Sequence, residues 1–113
     1  SPCYDKPMRA YAHPSLDDVA IEHVLHALSD PLRMEIVARL AREGEASCAA
    51  LDGGRPKSSM SHHFRVLRNA GLVRTRIAGV QHMNALRRDE LDRRFPGLLD
   101  AVLSAAEGAP VPA

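Results

Sequence analysis

Charge is distributed unevenly along this chain of 113 residues, and that distribution limits its possible folds and partners more than any other feature. Residues 55–88 contain eight basic and no acidic side chains, whereas residues 1–54 contain five basic and nine acidic ones. Residues 89–113 are again acidic, so the formal net charge of the whole chain is +1. A folded segment whose charges all have one sign repels itself unless an anionic partner neutralises it. The sequence therefore predicts an anion-binding surface within residues 55–88.

The composition is typical of one globular domain and argues against several other classes. Hydrophobic residues make up 45% of the chain, which suffices for a single core. No apolar run approaches the roughly 18–20 residues that span a membrane, and no signal peptide is evident. Two cysteines are too few for a disulfide framework and suit a reducing compartment. We therefore expect a cytoplasmic protein that does not contact membranes.

Apolar spacing and helix-end residues predict four helices in the first part of the chain. Asp30 and Pro31 are typical of an N-cap and a first helical residue, and Gly44 is typical of a helix end. The sequence Asn69-Ala70-Gly71 provides a second stop signal. The expected helices lie at about residues 16–28, 31–43, 46–51 and 56–69.

A hairpin and a further helix are predicted to follow. Leu72–Ile77 and Val80–Leu86 alternate apolar and polar side chains around Ala78-Gly79, which indicates two antiparallel strands. Arg88–Ala106 is again helical, with a break at Phe95-Pro96-Gly97. The fold class is therefore mainly α with a two-stranded β-hairpin, in the order α-α-α-α-β-β-α of a winged helix-turn-helix. We expect residues 16–106 to form this domain, after an extended arm at 1–15 and before a tail at 107–113.

The basic segment coincides with the fourth helix and the hairpin, which points to nucleic acid as the anion. Short hydroxyl side chains mixed with Lys, Arg and His suit base edges in a major groove, and a helix N-terminus favours phosphate. The hairpin arginines suit a wing that contacts the DNA backbone. The candidate DNA-binding residues are Lys57, Ser58, Ser59, Ser61, His62, Arg65 and Arg68 on the helix, and Arg74, Arg76, Gln81 and His82 on the hairpin.

Two motifs resemble those of the ArsR/SmtB family of dimeric bacterial transcriptional repressors. Residues 27–33, ALSDPLR, resemble the family's second-helix entry, and residues 59–73, SMSHHFRVLRNAGLV, resemble its recognition-helix signature. The resemblance implies a homodimer built through the first and last helices, which binds a double-stranded DNA operator and is released by an effector. It also implies that Ser59, Ser61 and His62 face bases or phosphates. His63 matches a near-invariant family histidine, for which we expect a hydrogen-bonding role.

The chain departs from the metal sensors of this family. Those proteins use a Cys-x-Cys pair at the third helix, or an Asp-x-His motif together with histidine on the last helix. Here residues 46–50 contain one cysteine and residues 88–106 contain no histidine. We therefore expect no metal and no other cofactor, and the effector stays unidentified.

Several alternatives remain open at this point. Cys3 and Cys48 of different subunits could form a two-thiol switch, although an isolated cysteine is commonly a small buried apolar residue. His23 and His26, three positions apart on a helix, could join His13 as metal ligands. The whole domain could instead bind an acidic protein partner. No arrangement of catalytic residues is evident, so we do not expect an enzyme.

Overall fold

Residues 11–108 are described by a computed structural model, which forms six α-helices and one antiparallel sheet from them. The helices are α1 (Ile21–Leu28), α2 (Pro31–Glu43), α3 (Cys48–Asp52), α4 (Lys57–Asn69), α5 (Arg88–Arg94) and α6 (Leu98–Ala106). The strands are β1 (Glu45–Ser47), β2 (Val73–Ala78) and β3 (Gln81–Leu86), in the spatial order β1-β3-β2. No helix within this described range is long and apolar enough to cross a membrane. The predicted winged helix-turn-helix fold is confirmed.

The ends of α2 follow from the residues that the sequence places there. The Asp30 carboxylate accepts hydrogen bonds from the backbone N–H groups of Leu32 (2.9 Å) and Arg33 (3.1 Å), so it caps the helix. Pro31 occupies the first helical position, where its missing N–H leaves no bond unmade. Gly44 ends the helix with a φ of +85°, a conformation that side chains with a Cβ disfavour.

Strand β1 was not predicted, and its presence corrects the expected start of the third helix. Residues Glu45–Ser47 pair with β3 rather than joining the helix, with Glu45 opposite Ala85 and Ser47 opposite Met83. The Ser47 hydroxyl then accepts a hydrogen bond from the Ala50 N–H at 3.1 Å and caps α3. A strand of three residues is too short to display an alternating pattern, so its pairing depends on the tertiary contact with β3.

Two other boundaries differ from the sequence-based expectation, and a third feature agrees with it. The first helix begins at Ile21, because a separate 3-10 turn at Leu16–Asp18 precedes it. The hairpin turn is Gly79-Val80 rather than Ala78-Gly79, since Ala78 pairs with Gln81. The expected break after Phe95 is present and divides the last helical segment into α5 and α6.

The core fixes the orientation of α4. Met60, Phe64 and Leu67 lie on one face of this helix and are completely buried. They belong to a hydrophobic cluster that also contains residues from α1, α2, α3, α5, α6 and the sheet. Because an α-helix repeats every 3.6 residues, burying this face turns the opposite face outward.

A buried asparagine connects the three strands. The Asn84 side chain, in the central strand β3, accepts a hydrogen bond from the Thr75 hydroxyl of β2 at 2.7 Å. Its amide group donates to the carbonyl of Ala46 in β1 at 3.3 Å and lies 3.2 Å from the Cys48 sulfur. Asn84 is completely buried, so these contacts satisfy its polar side chain within the protein.

We expect Asn84→Ala to lower the free energy of unfolding by about 2 kcal/mol, because it removes the buried hydrogen bonds with the Thr75 hydroxyl and the Ala46 carbonyl. Urea denaturation followed by circular dichroism measures this change. Asn69→Ala, at an exposed position of α4, is the matched control and should change stability by less than about 0.5 kcal/mol. Equal stability of the two variants would contradict a structural role for Asn84.

Candidate nucleic-acid interface

The structure exposes most of the predicted DNA-binding residues and buries three of them. The exposed residues lie on the outward face and N-terminal turn of α4 and on the hairpin of β2 and β3, which we call the wing: Lys57, Ser58, Ser59, His62, Arg65, Arg74, Arg76 and Gln81. The buried ones are Ser61, Arg68 and His82.

The N-terminal turn of α4 is arranged to meet an anion. Pro56 precedes the helix and offers no side-chain cap to the first backbone N–H groups. No acidic residue lies in the first turn, whereas Lys57, Ser58 and Ser59 are exposed there. The positive end of the helix dipole therefore points toward whatever approaches this surface, and a phosphate group suits it.

Tyr11 accounts for the burial of two predicted contact residues. Its ring lies 4.4 Å from the Arg68 guanidinium carbon, and its hydroxyl lies 2.7 Å from Nδ1 of His82. Arg68 is thus stacked against an aromatic ring near the end of α4 instead of extending toward solvent. Ser61 is buried as well, and its hydroxyl accepts a hydrogen bond from Arg65 at 3.4 Å. In this arrangement the three side chains have little surface to offer to DNA.

Residues 11–14 contact the wing and the start of α5. The Thr75 backbone N–H, on edge strand β2, donates a hydrogen bond of 2.9 Å to Nε2 of His13. The Arg87 guanidinium donates to the Pro14 carbonyl at 2.7 Å. Burial lowers the pKa of His13, and the positive charges of Arg74, Arg87 and Arg68 lower it further against the opposing effect of Glu90. These contacts keep His13 a neutral acceptor, so it is part of the protein's own framework.

The two wing arginines are paired with carboxylates from outside the basic segment. Arg76 forms a two-pronged pair with Glu45, in which both N–O distances are 2.9 Å. Arg74 donates to Glu90 at 3.2 Å. Glu90 also accepts two bonds from the buried Arg87, at 3.0 and 2.8 Å, and these arginines lower its pKa to about 2. The fold therefore neutralises part of a charge excess that looks complete in the sequence.

His63 has the hydrogen-bonding role that was expected of it. Its Nδ1 lies 3.1 Å from the Arg33 guanidinium and 3.8 Å from the Asp30 carboxylate. Because arginine only donates, Nδ1 must carry the lone pair, and the neutral ring carries its proton on Nε2. Burial lowers the pKa of His63, while the charge of Asp30 opposes this and those of Arg33, His62 and Arg55 reinforce it. Arg33 also donates to the Ala27 carbonyl at 2.6 Å.

The structure shows where Cys48 and the three histidines of the alternative sites lie. Cys48 is the first residue of α3, is completely buried, and is disulfide-bonded rather than a free thiol. Cys3 lies outside the described residues. His23 and His26 are exposed on α1, whereas His13 is engaged with the wing. Within residues 11–108, no three histidine, cysteine or acidic side chains are grouped closely enough to hold a metal ion.

A helix with one buried face and one polar outer face, followed by a β-hairpin wing, is typical of winged helix-turn-helix proteins that bind DNA. Residues 28–76 match the family model described as a helix-turn-helix domain. The uncharacterized HTH-type transcriptional regulator YceK of Bacillus subtilis is 34% identical over 89 residues, which cover 76% of this chain and 89% of YceK. The chain belongs to the ArsR/SmtB family of winged-helix transcriptional regulators.

Solved structures agree with this assignment. The transcriptional repressor BigR from Xylella fastidiosa is 29% identical with a TM-score of 0.59, over 75% of this chain and 84% of BigR. HlyU from Vibrio cholerae is 25% identical with a TM-score of 0.55, over 66% of this chain and 90% of HlyU. An ArsR family transcriptional regulator at 23% identity, with a TM-score of 0.59, supports the fold. The relatives whose names state a role are transcriptional regulators, not enzymes.

The neutral state of His63 predicts a pH-dependent stability. Its pKa is below the ordinary value of 6.5 in the folded protein, so the unfolded chain binds a proton first as the pH falls. The stabilising contribution is complete above pH 6.5 and decreases below it. We expect the free energy of unfolding, measured by urea denaturation between pH 7.5 and 5, to decrease over the lower part of that range.

His63→Asn tests the assignment, since the amide oxygen replaces Nδ1 as acceptor but does not titrate. The pH dependence of this variant should be weaker than that of the wild type. His62→Asn, at the exposed neighbouring position, should retain most of the dependence, because burial is the largest cause of the lowered pKa of His63 and His62 is one of the smaller ones. A wild-type pH dependence in the His63 variant would show that other groups cause the effect.

Proposed function

We propose that this protein is a dimeric, sequence-specific transcriptional repressor that an effector releases from its operator. The observation that carries this proposal is the exposed face of α4, where Ser58, Ser59, His62 and Arg65 lie opposite a completely buried apolar face. Short hydroxyl groups and a histidine can exchange hydrogen bonds with base edges at close range, and Arg65 can reach a guanine or a phosphate. An α-helix with such a face fits the major groove.

The wing supplies the second part of the proposed interface. Arg74, Arg76 and Gln81 are exposed on β2 and β3, and contacts of these side chains with phosphates would fix the register of α4 on the duplex. We assign no direct DNA contact to Ser61, Arg68 or His82, because their side chains are buried. Their proposed role is to support the surface from behind, through their contacts with Arg65 and Tyr11.

Exposed apolar side chains on α1 support the dimer. Ile21 and Leu25 are 44% and 47% exposed, although both are large and apolar. An apolar cleft is lined by other side chains of α1 and by side chains of α5 and α6, and Leu98 and Val102 of α6 are half-buried. Association through α1 and α6 would cover this surface. Two-fold symmetry would then present two α4 helices to half-sites about 34 Å apart.

We extend the proposal to the organisation of the chain and to its switch. Residues 16–106 form the DNA-binding and dimerisation domain, preceded by an arm at 1–15 and followed by a tail at 107–113. Contacts of residues 11–14 with β2 and Arg87 support an arm that lies against the domain. A thiol switch through Cys3 and Cys48 is the subordinate possibility, which a reductant tests directly.

We expect Ser58→Ala and His62→Ala each to weaken operator binding about tenfold, which corresponds to one lost base contact. Binding to scrambled DNA should change less than twofold, because phosphate contacts provide non-specific affinity. Fluorescence anisotropy with DNA from upstream of the protein's own gene, against a scrambled duplex, measures both affinities. Ser29→Ala, an exposed serine outside this surface, is the control and should behave as wild type.

The outcomes separate the candidate functions. Equal losses on both duplexes would place specificity in residues other than Ser58 and His62. A wild-type protein with no preference between the duplexes would remove the repressor proposal and favour a module that binds acidic proteins. Repeating the measurement with a thiol reductant shows whether the sulfur of Cys48 belongs to the switch or whether the effector is a different ligand.

The dimer makes a separate prediction. Leu25→Glu introduces a charge into the proposed interface and should convert the protein to a monomer, as measured by analytical ultracentrifugation. Val80→Glu is the matched control, because Val80 is 85% exposed at the tip of the wing. We expect the control to remain dimeric. A Leu25→Glu variant that stays dimeric would place the interface elsewhere.

A further inference from the structure

The pairing of Arg76 with Glu45 crosses the whole sheet. Glu45 belongs to β1 and Arg76 to β2, and β3 lies between these strands. Nε of Arg76 is 2.9 Å from one carboxylate oxygen, and a terminal nitrogen is 2.9 Å from the other. The side chain of Arg76 is still 58% exposed and that of Glu45 is 37% exposed. Both groups are therefore accessible to solvent and to an approaching phosphate.

A carboxylate held in this way competes with phosphate. The planar guanidinium binds either anion with the same pair of parallel N–H groups, so one contact occupies the donors that the other needs. The hydrogen bonds and charge of Arg76 hold the pKa of Glu45 below its usual range, which keeps this carboxylate charged at neutral pH. Arg76 must therefore leave Glu45, or divide its N–H groups between the two anions, before it can bind a phosphate.

We propose, on the basis of the DNA-binding function proposed above, that Glu45 is a positioning residue that withholds Arg76 from the DNA backbone and so limits the affinity of the wing. The pair is solvent-exposed, and exposed pairs are weak enough to open when a stronger anionic partner arrives. Glu45 thereby sets the strength of the wing contact without contacting DNA itself. Removing its charge should strengthen DNA binding.

Glu45 offers a cleaner test of this idea than Glu90 does. Glu90 pairs with Arg74, but it also holds Arg87, whose side chain is only 3% exposed. Removing Glu90 would leave a buried guanidinium without its carboxylate partner and would destabilise the fold. Glu45 pairs with an exposed arginine at the surface, so Glu45→Gln leaves no buried charge unpaired.

The experiment is a double-mutant cycle of Glu45→Gln and Arg76→Gln, with DNA affinity measured by fluorescence anisotropy over a range of salt concentrations. At low salt we expect Glu45→Gln to bind about two- to fivefold more tightly, the range that an exposed ion pair represents. Its salt dependence should become steeper by about 0.9 in log–log slope, as for one additional phosphate contact. In the Arg76→Gln background, Glu45→Gln should have no effect.

Glu43→Gln controls for the general loss of a negative charge. Glu43 is two positions away and pairs with Arg39 instead of a wing residue. If Glu43→Gln tightened binding as much as Glu45→Gln, or if Glu45→Gln acted equally without Arg76, long-range electrostatics would explain the result and the proposal would be overturned. Weaker binding by Glu45→Gln would overturn it as well, because the carboxylate would then help Arg76 to bind DNA.

Two further readouts separate this proposal from the repressor function. The cycle is measured on both operator and scrambled duplexes. A phosphate contact contributes to the affinity for both duplexes, so the effect of Glu45→Gln should be present on each. A difference in affinity between the two duplexes tests only the repressor function. NMR titration reports the pKa of Glu45 without DNA. We expect this pKa to be lowered in the wild type and to return to its usual range in Arg76→Gln, and an identical pKa in both proteins would contradict the pairing in solution.

Discussion

The burial of one face of α4 is the constraint on which the remainder of the interface depends. Met60, Phe64 and Leu67 are completely buried, so the helix cannot rotate about its axis without exposing large apolar side chains. The fixed position of the helix about its axis places His62 and Arg65 outward. A recognition surface built from short polar side chains needs this precision, because such groups reach bases only at close range. The core therefore determines which residues of α4 are available to DNA.

Charge along the sequence and charge on the folded surface are different quantities. Residues 55–88 contain no acidic side chain, but Glu45 from β1 and Glu90 from α5 pair with the two wing arginines. These carboxylates come from segments that are acidic in the sequence, so the fold brings opposite charges together. The wing is consequently less positive than its own sequence suggests, while the exposed face of α4 has no comparable carboxylate in its first turn.

Local chemistry made much of this fold predictable, and long-range contacts account for what was missed. Asp30, Pro31 and Gly44 mark the ends of α2 because capping and backbone preferences act within a few residues. Strand β1 has no such local signal, since it exists through pairing with β3. The burial of Arg68 and His82 could not be predicted either, because both side chains are covered by Tyr11, which lies in a segment that precedes the first helix. Eight of the predicted contact residues are nevertheless exposed, since helical and strand periodicity decides which side of an element faces water.

Arg33 gives the molecule a direct connection between the proposed dimer helix and the recognition helix. Its guanidinium donates to the carbonyls of Ala27 and His26 near the end of α1, and it also lies within hydrogen-bond distance of His63 on α4. A displacement of α1 relative to α4 must therefore stretch or exchange these bonds. Because Arg33 is buried, losing them would leave a charge without partners, which opposes independent movement of the two helices. The hydrogen bonds of Arg33 therefore add to the shared apolar core in holding the end of α1 and the middle of α4 in one relative position.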